Sequence, residues 1–197
     1  MILLFTKTRI NINYINRIFF TFKTIQMNLK IPNTLEKSAV FEQIAAALKQ
    51  ENFTVIKQDE TRPWGGFFVI DESQAAAFAA KFFPHLGMDS IRITNKLSPK
   101  ILVVAPNKRL SWQFHHRRAE IWKILSGVVG VKTSLTDEEG EIQELQPGTF
   151  IQMDKGERHR LIGLDSWGIV AEIWQHTEPE NPSDEDDIIR LQDDFCR

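Results

Sequence analysis

Ser111-Trp112-Gln113-Phe114-His115-His116-Arg117-Arg118-Ala119-Glu120-Ile121-Trp122 is the stretch whose reading decides the fold. Gln113 and His115 stand two residues apart, so on a β-strand they project from one face. Glu120 has the opposite parity, which requires residues 116–119 to turn or bulge before the chain returns as the next strand. Trp122 and Ile124 then keep the parity of Glu120. Further on, Asp154-Lys155-Gly156-Glu157-Arg158-His159 follows Pro147-Gly148 and reads as a turn leading into a strand. If that strand delivers His159 across a barrel, an amide oxygen, a carboxylate and two imidazoles meet. Such a donor set suits one divalent metal per chain, zinc first, with Mn, Fe, Co or Ni as alternatives. The competing reading is a polar patch on an antiparallel sheet.

Outward from this stretch the chain runs in short β-rich segments at residues 91–94, 101–105, 111–116, 120–125, 128–134, 150–153, 158–161 and 169–175. Gly127, Asp137-Glu138-Glu139-Gly140 and Pro147-Gly148 supply the reversals between them. The pattern is that of an all-β sandwich or jelly-roll barrel. Helical spacing is confined to the N-terminal part. Asn33 and Glu36 read as a capping box ahead of Leu35, Val40, Phe41, Ile44, Ala45 and Leu48, and the alanine-rich run 71–83 reads as a second helix stopped by Pro84. Residues 53–56 form a strand candidate between them.

The chain has 197 residues, enough for one domain with a substantial core. Lys plus Arg total 24 against 26 Asp plus Glu, a balance that gives no electrostatic reason for a nucleic-acid partner. Cys196 is the only cysteine, so no internal disulfide can form, in keeping with a cytoplasmic location. Residues 1–26 carry Lys7, Arg9, Arg17 and Lys23 without an acidic residue, and polar residues interrupt every apolar run, so neither a signal peptide nor a membrane span is expected. Met27-Asn28-Leu29-Lys30 reads as a natural start, which makes residues 1–26 an upstream extension. The expected layout is a helical segment at 27–60, a barrel at 61–178 and an acidic tail at 179–197 whose Ile188, Ile189, Leu191 and Phe195 dock it on the barrel.

The paired segments around Gln113, His115, Glu120 and Gly127, and around Gly148, Gly156, His159 and Gly163, resemble the two motifs of the cupin superfamily, with Gln113 in the first His position. Arg62-Pro63-Trp64-Gly65, Lys108-Arg109-Leu110-Ser111, Arg118-Ala119-Glu120 and Glu185-Asp186-Asp187-Ile188-Ile189-Arg190 resemble the type II mannose-6-phosphate isomerase cupin. The resemblance implies a double-stranded β-helix barrel, a homodimer, and a small-molecule sugar phosphate as ligand, with Gln113, His115, Glu120 and His159 as metal ligands. Arg117 stands where relatives usually have a third consecutive His, Asp154 replaces a Pro, Gly163 an Asn, and Trp174 a Gln.

For an aldose–ketose isomerase working through an enediol, the candidate proton-transfer groups are Glu172 and, ranked below it, Lys108. Arg62, Lys100 and Arg118 are the candidates for a phosphate, and Trp122 and Trp174 have the parity to line a sugar pocket. Each has a plainer alternative: Glu172 pairs with a barrel Arg, Lys108 is a solvated turn lysine, and the Trp residues belong to the core. The alternative function is a non-catalytic sugar-binding or regulatory metal-binding cupin.

Overall fold

The computed structural model describes Leu29 and residues 31–195, so what the sequence leads one to expect of residues 1–26 and Cys196 lies outside the described residues. Among the described residues, eleven strands form two antiparallel sheets. The first has the order β1 (Val55–Asp59), β2 (Gly65–Ile70), β3 (Lys100–Val104), β10 (Gly168–His176), β5 (Arg118–Ser126), β8 (Phe150–Met153). The second runs β11 (Ile188–Gln192), β4 (Trp112–His115), β9 (Arg158–Gly163), β6 (Val129–Ser134), β7 (Gln143–Leu145). This is the expected double-stranded β-helix barrel with added N-terminal helices.

Strands β3 and β10 are buried at every position, and β5 at all but its last, because the first sheet is covered on both faces. One face meets the helices: Ile101, Val103, Ile121, Ile169, Ala171 and Ile173 share a cluster with Val40, Phe41, Ile44 and Leu48 of α1 (Lys37–Gln50) and with Phe78 and Ala79 of α2 (Ala75–Phe82). The other face lines the barrel, where Leu102, Trp122, Ile124 and Val170 meet Val129, Val131 and Leu161 of the second sheet. The period of two along each strand therefore separates helix-facing residues from interior ones. Glu120, Trp122, Glu172 and Trp174 all fall on the interior side.

Several local expectations are corrected. Residues 91–94 form no strand: α3 (Met88–Ile91) ends there, Ile91 is fully buried and Ile93 is 56% exposed. Strand propensity without a neighbouring sheet edge to pair with does not decide the conformation. Helix α1 begins at Lys37, and Glu36 makes no side-chain cap bond, so the capping box is not formed. The 71–83 segment is a 3₁₀ turn (Glu72–Gln74), capped by Asp71 accepting from the Ser73 amide, followed by α2. Strand β1 starts two residues later than the candidate and pairs with β2, so the boundary drawn at residue 60 falls within a hairpin. Strand β2 begins with two glycines that hide its pattern. A Cβ on Gly66 would lie 2.1 Å from the Asp59 carbonyl oxygen and 2.7 Å from the Phe41 ring, so the strand passes too close to β1 and α1 to carry a side chain there. The acidic tail docks as β11, an edge strand of the second sheet paired with β4.

Phe78 is fully buried and packs on Phe53, Phe82 and Phe83. Phe78→Ala is expected to cost about 3–5 kcal/mol, read as a lower urea midpoint with an unchanged slope. Metal content should be unaffected, since α2 covers the face of the sheet opposite Glu120.

Candidate metal centre and pocket

Gln113 on β4 pairs with His159 on β9, and His115 lies two residues further along β4. The chain then turns through His116 and Arg117 and returns as β5, where Glu120 follows two residues after Arg118. That reversal converts the parity mismatch into convergence. His115 Nε2 lies 3.1 Å from Glu120 Oε1, His159 Nε2 lies 3.4 Å from Glu120 Oε2, and the two Nε2 atoms are 3.2 Å apart. All three side chains are buried. Among the described residues, these are the His, Cys, Asp and Glu side chains grouped closely enough to hold a metal ion.

The tautomers follow from the ring partners. His115 Nδ1 faces the Asp187 carbonyl oxygen at 3.2 Å and His159 Nδ1 faces the Glu157 carbonyl oxygen at 3.0 Å. A carbonyl only accepts, so each Nδ1 bears a proton and donates, and each Nε2 is turned toward the other ring and toward Glu120. Burial drives the His115 imidazole down to about 4, which keeps it neutral at physiological pH. Burial works against the Glu120 carboxylate, but His115, Arg118 and His159 outweigh it and hold the carboxyl well below its ordinary range. Arg118 is the permanent charge among them. Two imidazoles, oriented by backbone carbonyls, and one carboxylate thus fit a divalent cation, and this group could bind a metal.

Gln113 also lines the pocket, and its Oε1 accepts from Ser111 Oγ at 2.6 Å. An amide oxygen has a second lone pair, so this bond leaves room for a ligand role.

The pocket beside this group is lined by four basic side chains, Arg62, Lys100, Arg118 and Arg190, and three acidic ones, Glu120, Glu172 and Glu185. Glu172 is paired in register with Lys100 on β3 and with Trp122 on β5. The Trp122 indole N–H is shared between Glu172 Oε1 at 2.9 Å and Glu120 Oε2 at 3.1 Å. Burial, and then the Glu120 charge, push the Glu172 carboxyl up to about 8.

A sequence profile of the family described as mannose-6-phosphate isomerase C-terminal matches residues 75–193, more than half of the chain. The chain belongs to that family. Mannose-1-phosphate guanylyltransferase of Escherichia coli is 26% identical over 158 residues, covering 80% of this chain and 27% of that protein. Xanthan biosynthesis protein XanB of Xanthomonas campestris pv. campestris is 31% identical over 125 residues, covering 64% of this chain and 25% of that protein. The chain therefore spans about a quarter of the length of these curated relatives. Among solved structures, oxalate decarboxylase of Lactobacillus farciminis superposes with a TM-score of 0.45 at 17% identity, over 68% of this chain and 33% of that one. A likeness of that size carries no functional information.

The structure sorts the other candidates of this family member. Arg62, Lys100, Trp122 and Trp174 line the pocket, as does Glu172. Lys108 does not: it is exposed in the turn after β3, where its amide donates to the Ala105 carbonyl. Arg118 lines the pocket as well, with four of its five N–H donors directed at Glu120 Oε1 (2.8 Å), His115 Nε2 (3.1 Å), Ser183 Oγ (2.7 Å) and the Asp184 carbonyl (3.0 Å). It positions the carboxylate and the tail.

The departures from the family pattern are local. Arg117 turns away from the pocket and ties down Asn181 and Asp184, and the 154–157 turn is closed by the Glu157 carboxylate accepting from the Asp154 amide. Trp174 presents its ring to Lys100 Nζ at 3.2 Å and to the Arg118 guanidinium at 3.5 Å, which suits a Trp where relatives have Gln.

Sequence reasoning missed Asp187, Glu185, Ser111 and Arg190. The signal for the first two lay in the docking tail. Asp187 accepts from the His116 and Arg117 amides and from Ser183 Oγ, while its carbonyl orients His115.

Glu120→Ala or His159→Ala is expected to bring bound metal well below one per chain by elemental analysis, and full occupancy in either would remove this ligand set. Asp187→Ala keeps all three ligand side chains but releases the turn behind His115. Its metal affinity, measured by chelator competition, should fall by about 10–100-fold.

Proposed function

We propose that this protein is a metal-dependent sugar-phosphate isomerase of the aldose–ketose, mannose-6-phosphate isomerase type. The observation that carries this reading is Glu172, a buried carboxyl raised to about 8 on the interior face beside the metal-ligand group. Isomerisation moves a proton between adjacent sugar carbons while carbonyl and hydroxyl change places through an enediol. A divalent metal held by His115, Glu120 and His159, with Gln113 beside them, would supply Lewis-acid stabilisation of the oxyanion that develops.

The chain's own residues supply the rest. Glu172 accepts the proton from one carbon and returns it to the other, and a carboxyl whose two protonation states both lie within reach of neutral pH is suited to that exchange. Trp122 holds Glu172 through its indole N–H. Trp64, Phe67 and Trp174 add apolar walls that exclude water from the carboxyl and offer faces to a sugar ring. Even with Glu172 ionised, the basic side chains of the pocket outnumber the acidic ones four to three, which favours an anionic ligand. The relatives' printed names, which refer to mannose 1-phosphate and to xanthan biosynthesis, support a sugar phosphate of the mannose class.

The test is incubation of the metal-loaded protein in D2O with mannose 6-phosphate, fructose 6-phosphate and sedoheptulose 7-phosphate, following the C1 and C2 protons by NMR. Deuterium entry or interconversion with one sugar is expected. Full metal occupancy with no exchange in any of them would instead identify a sugar-binding or regulatory cupin. Glu172→Gln should keep its metal and exchange about 10²–10⁴-fold more slowly. The acid form of Glu172 predominates below about pH 8, so kcat/KM of the wild-type protein should rise as pH increases from 6 toward 8. In the Gln variant that rise should vanish.

A further inference from the structure

Lys100 and Glu185 form an unequal pair. The Lys100 side chain is 7% exposed and its ammonium lies over the face of Trp174, whereas the Glu185 side chain, 2.7 Å away, is 48% exposed. Lys100 belongs to β3 in the middle of the first sheet; Glu185 opens the short 3₁₀ turn (Glu185–Asp187) of the tail. The cation is thus fixed by the barrel and the anion is brought to it from outside. Arg62 completes the seat. Its guanidinium lies 5.7 Å from the centre of the Phe67 ring, and Lys100 Nζ lies 5.6 Å from the same centre. Arg62 is one-third exposed and held by Asp59 at 2.8 Å. Lys100 most of all, then Arg118 and Arg62, act electrostatically on Glu185. Arg118 already gives four of its five N–H donors to Glu120, His115, Ser183 and the Asp184 carbonyl.

We propose that Glu185 is an internal anion holding the place of the ligand's phosphate between Lys100 and Arg62, and that it selects among ligands by having to be displaced. This rests on the anionic-ligand reading given above. Burial disfavours the Lys100 charge; Glu172 beside it and Glu185 both favour it, and of the two Glu185, on a short tail turn, is the one that can swing into solvent. A neutral sugar offers Lys100 nothing in exchange. A phosphate offers close to two charges and several acceptor oxygens, so it outcompetes a single tethered carboxylate. Discrimination against uncharged sugars then comes from an interaction the wrong ligand cannot replace.

The experiment titrates wild-type, Glu185→Gln and Asp186→Asn proteins with inorganic phosphate, mannose 6-phosphate and mannose by calorimetry. Each protein is used both metal-loaded and stripped of metal, so that phosphate bound on a metal is recognised. Asp186 is the exposed neighbour of Glu185 and controls for net charge. Metal content of each variant reports whether the turn still holds His115. The expected result is a phosphate dissociation constant about tenfold lower in Glu185→Gln, with or without metal, and unchanged in Asp186→Asn. Wild-type binding with no tightening in Glu185→Gln, or equal tightening in Asp186→Asn, would overturn the displaced-anion role while leaving the anionic-ligand reading intact. Absence of phosphate and mannose 6-phosphate binding in both wild-type and Glu185→Gln proteins would overturn the anionic-ligand reading and this inference with it.

Discussion

Burial of the first sheet on both faces is the constraint on which the rest of the structure depends. A strand packed between helices and a barrel interior cannot shift by one residue without exchanging its two sets of side chains. On β5 such a shift would move Glu120 and Trp122 into the helix-facing cluster and bring Ile121 and Lys123 inside. On β10 it would do the same to Glu172 and Trp174. The apolar residues that face α1 and α2, Ile121, Ile169, Ala171 and Ile173, therefore hold the acidic residues of the interior in register, although they touch none of the chemistry.

Placing carboxylates in that interior is costly unless each is compensated, and the compensation differs from one to the next. Glu120 is answered by Arg118, whose guanidinium is itself satisfied by the tail, and it stays ionised. Glu172 is deeper in the charge balance: Lys100 pulls it down, burial and Glu120 push it up, and the latter pair prevails. Two carboxyls on one face thus take opposite protonation states near neutral pH. That separation is the usual basis for assigning one to electrostatic support and the other to proton transfer.

The tail is part of the site. Asp187 ties the turn between β4 and β5 through two backbone amides and orients His115 through its carbonyl, and Glu185 reaches Lys100 across the pocket. Strand β11 brings both there by pairing with β4, the strand that carries Gln113 and His115. The segment farthest along the described chain therefore closes the site that the middle of the chain begins.

The period-two pattern, the turn residues and the spacing of Gln113, His115, Glu120 and His159 were legible because strand parity and reversals are local properties of the chain. They were enough to indicate a barrel and the side chains that meet in it. The 91–94 run misled for the complementary reason, since propensity acts only where a partner edge exists. Strand β2 was hidden because its glycines answer to the closeness of β1 and α1, which no local pattern records. The roles of Lys108, Arg118 and Glu185 were equally beyond reach of the sequence. Whether a charged side chain faces solvent, braces a ligand or fills a pocket depends on which distant groups share its surroundings, and only packing in three dimensions decides that.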